Sequence, residues 1–218
     1  MKSSRTGFFV TVDGPSGIGK STTVDELHSR LGAQGVPALR TVEPSTSDLG
    51  EFIRKNANHI HGMALACLVA ANRYEHIDTD ITRALHGGDL LICDRYLAST
   101  LVLQQLDGVP LEFLLALNKH IVMPDLAVIL TASPGKIAER LAVRGVTHRF
   151  HLDPATPSRE VDLYVDAAAH LTDRGVKVLV LDTSEATPSE VASRIADEIP
   201  PLPLPSVASA TGPTPQDS

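Results

Sequence analysis

Short apolar runs alternate along the chain with longer segments in which apolar side chains recur at helical spacing. Five runs bounded by Gly, Pro or polar residues predict buried strands, at 7–12, 37–42, 89–93, 126–131 and 177–181. Between them, spacings such as that of Val24, Leu27 and Leu31 predict amphipathic helices. The predicted helices span residues 20–34, 49–58, 63–85, 97–106, 110–122, 134–144, 159–174 and 188–199.

This alternation of strands and helices predicts an α/β fold. Parallel strands need crossover connections, and right-handed crossovers place helices on both faces of a sheet. The expected architecture is one three-layer αβα domain with a five-stranded parallel sheet, spanning residues 1–199. Residues 200–218 contain six prolines among small and polar residues, a composition that cannot bury enough apolar surface to fold, so they predict a disordered tail.

Composition and charge argue against several classes of function. The net charge of −7 argues against a nucleic-acid partner, because a phosphate backbone is bound by a basic surface. No apolar stretch approaches the roughly 20 residues of a membrane helix, and residues 1–9 lack the apolar core of a signal peptide. Cys67 and Cys93 belong to no CxxC or Cys/His cluster and lie among apolar residues, which predicts buried free thiols in a reducing compartment. We therefore expect a cytoplasmic protein with no membrane partner.

A glycine-rich segment follows the first predicted strand and opens the first predicted helix. Its sequence, GPSGIGKS, fits the phosphate-loop pattern GxxxxGK[ST] in full. The glycines let successive backbone N–H groups point inward at phosphate oxygens, and the helix N-terminus adds a positive dipole. Lys20 is expected to reach the β and γ oxygens of ATP, and the Ser21 hydroxyl to coordinate Mg²⁺. The residues expected to bind ATP are Gly14, Ser16, Gly17, Ile18, Gly19, Lys20, Ser21, Thr22 and, on a later helix, Arg140.

The phosphate loop identifies the phosphoryl donor and leaves the acceptor open. A GTPase would carry an NKxD guanine-recognition motif, and here Asn118-Lys119 is followed by His120-Ile121. A motor ATPase would carry an Asp-Glu pair after a hydrophobic strand, whereas the third predicted strand is followed by Asp94-Arg95. These differences favour a small-molecule kinase.

The segment after the third predicted strand carries a second group of charged and hydroxyl residues. Asp94, Arg95 and Tyr96 are followed by Ser99 and Thr100, giving DRYxxST at the carboxyl end of a strand, where open α/β sheets bind ligands. The Asp94 carboxylate can hold a Mg²⁺-bound water. The planar guanidinium of Arg95 matches the geometry of a phosphate group.

With these motifs in place, the sequence resembles the thymidylate kinase family over about residues 7–199. The resemblance implies the P-loop kinase fold, phosphorylation of a nucleoside monophosphate by ATP-Mg²⁺, most directly dTMP to dTDP, and a homodimer formed through the helical layer. The matching elements occur in the family's order: VDGPSGIGKSTT, Glu43-Pro44, LGEFIR ending at Arg54, LVAANRYEH with Arg73, DRYLAST followed by Gln104, Pro124-Asp125-Leu126, and the late Arg140, Arg144 and Arg149.

The resemblance also implies a role for individual residues. Arg95 would bind the acceptor 5′-phosphate, and Glu43 would lie near the acceptor sugar and phosphate. The remaining expected acceptor contacts are Arg54, Val69, Arg73, Tyr96, Ser99, Thr100 and Gln104, among which Arg73 and Gln104 would contact the polar edge of the base. Arg144 and Arg149 would close over the transferring phosphoryl group from a lid near residues 145–157, because the loop PSGI supplies no cation of its own.

Four positions depart from the family's pattern. Ser16 replaces a phosphate-loop carboxylate, while Val69 and Leu103 stand where family members carry aromatic residues near the base. The lid sequence HRFH lacks the usual acidic neighbours of the arginine. Base–aromatic stacking is worth roughly 1–3 kcal/mol per base, so the loss of two rings weakens or redirects base binding.

Three hypotheses for the function stay open from the sequence. The first is a thymidylate kinase whose base pocket is aliphatic. The second is a related enzyme that phosphorylates a modified nucleotide, or a nucleoside whose 5′-hydroxyl would be deprotonated by Glu43. The third is a non-catalytic nucleotide-binding regulator, which the presence of Lys20, Ser21, Asp94 and Arg95 disfavours.

Overall fold

The chain forms one parallel β-sheet covered on both faces by helices. A computed structural model describes residues 5–144 and 155–201, without the side chains of Val143 and Arg144. The strand order is β2-β3-β1-β4-β5, with every neighbouring pair parallel. The three-layer αβα prediction is confirmed, and each strand lies within one residue of its predicted position: β1 Phe8–Asp13, β2 Ala38–Val42, β3 Leu90–Asp94, β4 Leu126–Thr131 and β5 Lys177–Asp182.

Alternate side chains of the central strands enter two separate apolar clusters, as the two-residue repeat of a strand requires. On one face, Phe9 of β1 packs in a cluster with the third to sixth and the eighth helices. On the other face, its neighbour Val10 packs with the first, seventh and ninth helices. The helices are α1 Lys20–Ala33, α2 Asp48–Asn56, α3 Gly62–His76, α4 Thr82–Gly87, α5 Leu97–Leu106, α6 Leu111–Leu117, α7 Pro134–Arg144, α8 Thr156–Thr172 and α9 Pro188–Ala196.

Several predicted helix ends differ from the observed ones, among them that of α9, which ends at Ala196 and not at residue 199, and three further differences are informative. The predicted helix 63–85 is interrupted by a π-helical turn at Ile77–Ile81, which a 3.6-residue period does not anticipate. The predicted helix 110–122 ends at Leu117, where the Asn118 amide donates to the Leu114 carbonyl and caps the last turn. The third, α8, begins at Thr156 because Pro157 suits the first turn of a helix, where its missing N–H is not needed.

The two cysteines differ in their surroundings. Cys93 in β3 is buried, and burial raises the pKa of its thiol well above the ordinary value. Cys67 is exposed on α3, so the prediction that it is buried is wrong. An apolar sequence neighbourhood does not decide burial on a helix, because only part of the helix surface faces the core.

Several predictions fall outside the described residues. Most of the predicted lid, 145–157, and of the predicted tail, 200–218, lies there, and so does Arg149. None of the helices described by the structure is long and apolar enough to cross a bilayer.

Candidate active site

A cleft opens at the carboxyl ends of β1, β2 and β3, with a volume of about 570 Å³. Open parallel sheets bind their ligands at this edge, where neighbouring crossovers leave the sheet in opposite directions. The cleft brings together the phosphate loop, the DRYxxST segment and the facing sides of α2, α3 and α5. Its lining includes Ser16, Gly17, Gly19, Lys20, Ser21, Thr22, Glu43, Arg54, Val69, Arg73, Asp94, Arg95, Tyr96, Ser99, Thr100, Leu103 and Gln104.

The phosphate loop wraps around the Lys20 side chain. Gly14 has a φ of 149°, and a Cβ there would lie 2.5 Å from the Leu130 carbonyl oxygen, so only glycine fits. The buried Lys20 ammonium donates to the Gly14 and Pro15 carbonyls at 2.8 Å each. Burial, and then the positive charge of Arg95, lower the pKa of Lys20 well below its ordinary value. Because an ammonium has three donors, one remains for a phosphate oxygen.

Ser21 and Asp94 meet where α1 begins and β3 ends. The Ser21 hydroxyl donates to Asp94 Oδ2 at 2.5 Å, and the buried Oδ1 of Asp94 has no hydrogen-bond partner among the described residues. A hydroxyl and a carboxylate are hard oxygen ligands of the kind that Mg²⁺ prefers. The pair therefore fits a magnesium ion beside the phosphate loop, with Asp94 acting directly or through water.

Arg95 has an unusual backbone and an unsatisfied side chain. Its φ is 71°, the left-handed region, and it is the only non-glycine residue with a positive φ in the described part of the chain. Its Nη1 atom is buried and has no hydrogen-bond partner among the described residues. A buried guanidinium nitrogen without an acceptor is costly, and an incoming anion removes that cost. This is the strongest candidate position for an acceptor phosphate.

A buried ion pair joins the side of the cleft formed by α3 and α5 to the loop after β2. Arg73 donates through Nε to Glu43 Oε2 at 2.8 Å, and its Nη2 lies 2.7 Å from the same oxygen. Arg73 also donates to Asn118 Oδ1 and Thr100 Oγ1 at 2.7 Å each, and its guanidinium lies 4.9 Å from the centre of the Tyr96 ring. Burial alone would lower the pKa of Arg73, but the Glu43 carboxylate raises it overall. Arg73 therefore lines the cleft and also links α3 to Glu43, Asn118 and Thr100 through hydrogen bonds.

The side of the cleft formed by α3 and α5 is aliphatic and carries one amide whose oxygen has no partner among the described residues. Leu65, Val69 and Leu103 line this side, and Gln104 lies among them, only 5% exposed. Gln104 Oε1 is buried and has no hydrogen-bond partner among the described residues. A buried amide of this kind is available to hydrogen-bond an incoming base. Arg54 lies at the exposed rim, where its Nη1 donates to the Ser45 carbonyl at 2.8 Å.

Several predicted site residues do not present a free side chain to the cleft. The Tyr96 hydroxyl donates to the Val122 carbonyl at 2.9 Å, so only its ring is available. The Ile18 side chain belongs to the core and Arg140 donates to the Thr183 carbonyl at 2.8 Å. Gly14 lies behind the cleft surface, and the placement of the Arg144 side chain is outside what the structure describes.

Two buried carboxylates at the site were missed by the sequence reasoning. Asp13 ends β1 directly before the phosphate loop, and Glu160 lies on α8 at only 1% exposure. Burial raises the pKa of Glu160, while Lys20, a hydrogen bond from the Ser16 amide and Arg95 act in the opposite direction. Because Asp13 directly precedes the phosphate loop, its sequence position could have identified it as a residue near the site. No spacing or motif pointed to Glu160, because α8 is distant in sequence.

The comparisons with known proteins agree on one family. The sequence model of the family described as Thymidylate kinase matches residues 12–195. A protein of Caldivirga maquilingensis named "Probable thymidylate kinase" is 36% identical over 146 residues, 65% of this chain and 71% of that protein. The "Thymidylate kinase" of Shouchella clausii is 36% identical over 159 residues, covering 69% of this chain and 75% of its own length. The "Probable thymidylate kinase" of Staphylothermus marinus is 33% identical over 183 residues, 82% of this chain and 88% of that protein.

Proposed function

This chain belongs to the thymidylate kinase family, and on that premise we propose that it transfers the terminal phosphoryl group of ATP to dTMP, forming dTDP. The observation that carries the proposal is the pairing of two cationic phosphate sites in one cleft. Lys20 and the phosphate loop lie on the donor side, and Arg95, with an unpaired buried nitrogen, lies on the acceptor side. Holding both reactants in one geometry supplies much of the rate enhancement of phosphoryl transfer.

On the donor side, the chain's own groups bind and orient the triphosphate. Lys20 and the loop amides contact its oxygens, and Ser21 and Asp94 would hold Mg²⁺. When bound, that ion would neutralise negative charge on the β and γ oxygens. Arg144 and Arg149 remain the candidates for the cation that closes over the transferring group.

On the acceptor side, the base is held by hydrogen bonds between aliphatic walls. Gln104 offers both a carbonyl oxygen and an NH₂ group, which suits the adjacent N3–H and carbonyl of thymine. A guanidinium has five N–H groups, and the bonds from Arg73 to described residues leave one on Nη1. That donor favours a carbonyl over the exocyclic amine of cytosine. Val69 and Leu103 contribute apolar contact in place of stacking.

The alternative of a nucleoside 5′-hydroxyl kinase requires Glu43 to act as a base. Its Oε2 already accepts two charge-assisted contacts from Arg73, and its Oε1 lies 3.4 Å from His76 Nδ1. With Oε2 held by Arg73 and Oε1 facing His76, neither Glu43 oxygen is free to accept a hydrogen bond from a substrate hydroxyl. The geometry therefore favours a monophosphate acceptor. A non-catalytic regulator would have no need of the complete set Lys20, Ser21, Asp94 and Arg95.

The acceptor assignment is tested by measuring ADP release with dTMP, dUMP, dCMP and thymidine under identical conditions. We expect dTMP to have the highest kcat/KM. Loss of the methyl group in dUMP should lower it by roughly 10-fold, the usual effect of one methyl in an apolar pocket. The amine of dCMP should lower it further, since it faces the Arg73 donor. If dTMP is no better than the other three acceptors, the thymidylate assignment fails while the kinase assignment stands.

The proposed homodimer is supported by an exposed apolar face of α3. Met63, Ala64, Cys67 and Ala71 are all exposed, and Phe52 of α2 is 47% exposed. A two-fold symmetric dimer buries the same face from each copy.

We expect light scattering to give twice the 23.2 kDa chain mass for the wild type and the single-chain mass for Ala71→Glu. The charge would be desolvated without a partner in the dimer. Ala116→Glu on α6 is the matched control, because Ala116 is also exposed but lies on a different helix. A wild type with the mass of one chain would refute the dimer.

A further inference from the structure

The backbone around Arg95 is held in place from another strand. Arg95 has a φ of 71°, a conformation that carries an energetic cost for a residue with a side chain. Such residues persist where the surrounding structure over-determines them, and they concentrate at functional sites. The Arg95 amide donates to the Val12 carbonyl at 3.0 Å, which fixes one end of the peptide to β1.

Two backbone amides shortly after Arg95 donate hydrogen bonds to the same side-chain atom. The Tyr96 and Ser99 amides donate to Asp13 Oδ1 at 2.9 Å each. Asp13 is fully buried at the end of β1, immediately before the phosphate loop. One carboxylate oxygen therefore ties the DRY segment to the strand that carries the loop.

Asp13 also performs the task of a helix cap. The residue in the N-cap position of α5, Tyr96, makes no capping hydrogen bond through its side chain. The first amides of a helix need acceptors, and a negative charge there is stabilised by the helix dipole. Asp13 supplies the acceptor oxygen and the negative charge, although it lies 83 residues before Tyr96 in the sequence.

We propose that Asp13 is a positioning residue for the acceptor phosphate: by capping α5 from β1, it holds the Arg95 backbone in its left-handed conformation and aims the guanidinium at the phosphate. The carboxylate also fixes the distance between the donor and acceptor sites, because it lies one residue before Gly14. The inference rests on the proposed function, in which Arg95 meets an acceptor phosphate. Asp13 acts through Arg95 and does not itself touch the substrate.

The test is the dissociation constant of dTMP, measured by calorimetry in the absence of ATP. Asp13→Ala removes the shared acceptor, and we expect dTMP binding to weaken between about 10-fold and 100-fold, the scale of losing one hydrogen bond between the guanidinium and the phosphate. The binding of ATP, measured separately, should change by less than about threefold. In an Arg95→Ala background, Asp13→Ala should weaken dTMP binding no further, because its effect passes through Arg95.

Asp125→Ala is the matched control. Asp125 also accepts a β1 amide, that of Phe9 at 2.8 Å, but at the opposite end of the strand. It should alter stability without altering dTMP binding. Asp13→Asn keeps an oxygen acceptor for both amides and should retain dTMP binding within about threefold, so it serves if Asp13→Ala does not fold.

Three results would overturn the inference: unchanged dTMP binding in folded Asp13→Ala, equal weakening with and without the Arg95 side chain, or an Asp13→Asn protein that binds dTMP as weakly as Arg95→Ala. A wild type that fails to bind dTMP would refute the proposed function instead, so the two failures are distinguishable.

Discussion

Replacing Lys20 by alanine is expected to lower kcat for ADP formation by about 10²- to 10³-fold, the usual effect of removing one preorganised donor from a transition state. The Lys20 ammonium is held by the Gly14 and Pro15 carbonyls in a buried position. The Lys20 amine is therefore in position before the substrate arrives, and its side chain needs no reorganisation during the reaction. Steady-state kinetics with saturating dTMP and ATP, together with calorimetry of ATP binding, measure the effect on each step.

The control for this change is Lys136→Ala on α7. Lys136 forms an exposed ion pair with Glu139, and such pairs contribute about 1 kcal/mol or less. Turnover should be unaltered in this variant. Lys20→Ala leaves two loop carbonyls without their donor, so thermal unfolding must show that the protein is folded before its kinetics are interpreted. Unchanged turnover in a folded Lys20→Ala protein would refute the assignment as a kinase.

The positions of the strands could be predicted from the residues that flank them in the sequence. Gly87-Gly88 ends a helical pattern before β3, and Pro124 stands shortly before β4, so the boundaries were marked in the sequence. The π-helical turn at Ile77–Ile81 was not predicted, because its apolar spacing fits an ordinary helix equally well. The exposure of Cys67 depends on which face of α3 meets α2 and α5, which no local pattern records.

Some features of the candidate site could likewise be predicted from sequence motifs, and others could not. The phosphate loop and DRY motifs assigned Lys20 and Arg95 to one ligand site at the carboxyl edge of the sheet, and the structure adds that the strands they follow are adjacent. The Glu43–Arg73 ion pair joins residues 30 positions apart and could not be derived from either motif alone. Only the tertiary structure shows that Arg73 both lines the cleft and holds its walls together through hydrogen bonds.

Replacing Arg95 by alanine should raise the KM for dTMP by roughly 100-fold, while the KM for ATP changes little. A hydrogen bond to a charged group is worth about 1.5–3 kcal/mol, and each 1.4 kcal/mol corresponds to tenfold in affinity. The buried Nη1 of Arg95 has no acceptor among the described residues, so the phosphate gains a donor that is already desolvated. Arg95→Lys should recover part of the loss, because it restores the charge without the planar fork.

The same variant separates a phosphate contact from a general disturbance of the cleft. Thymidine has the base and sugar of dTMP without the phosphate, so its weak binding, measured by calorimetry at high concentration, should be the same in the wild type and in Arg95→Ala. Equal losses for dTMP and thymidine would show that Arg95 supports the cleft rather than binding phosphate. A selective loss for dTMP, with ATP binding intact, would assign the acceptor phosphate to Arg95, the residue whose left-handed backbone is held by Val12 and Asp13 of β1.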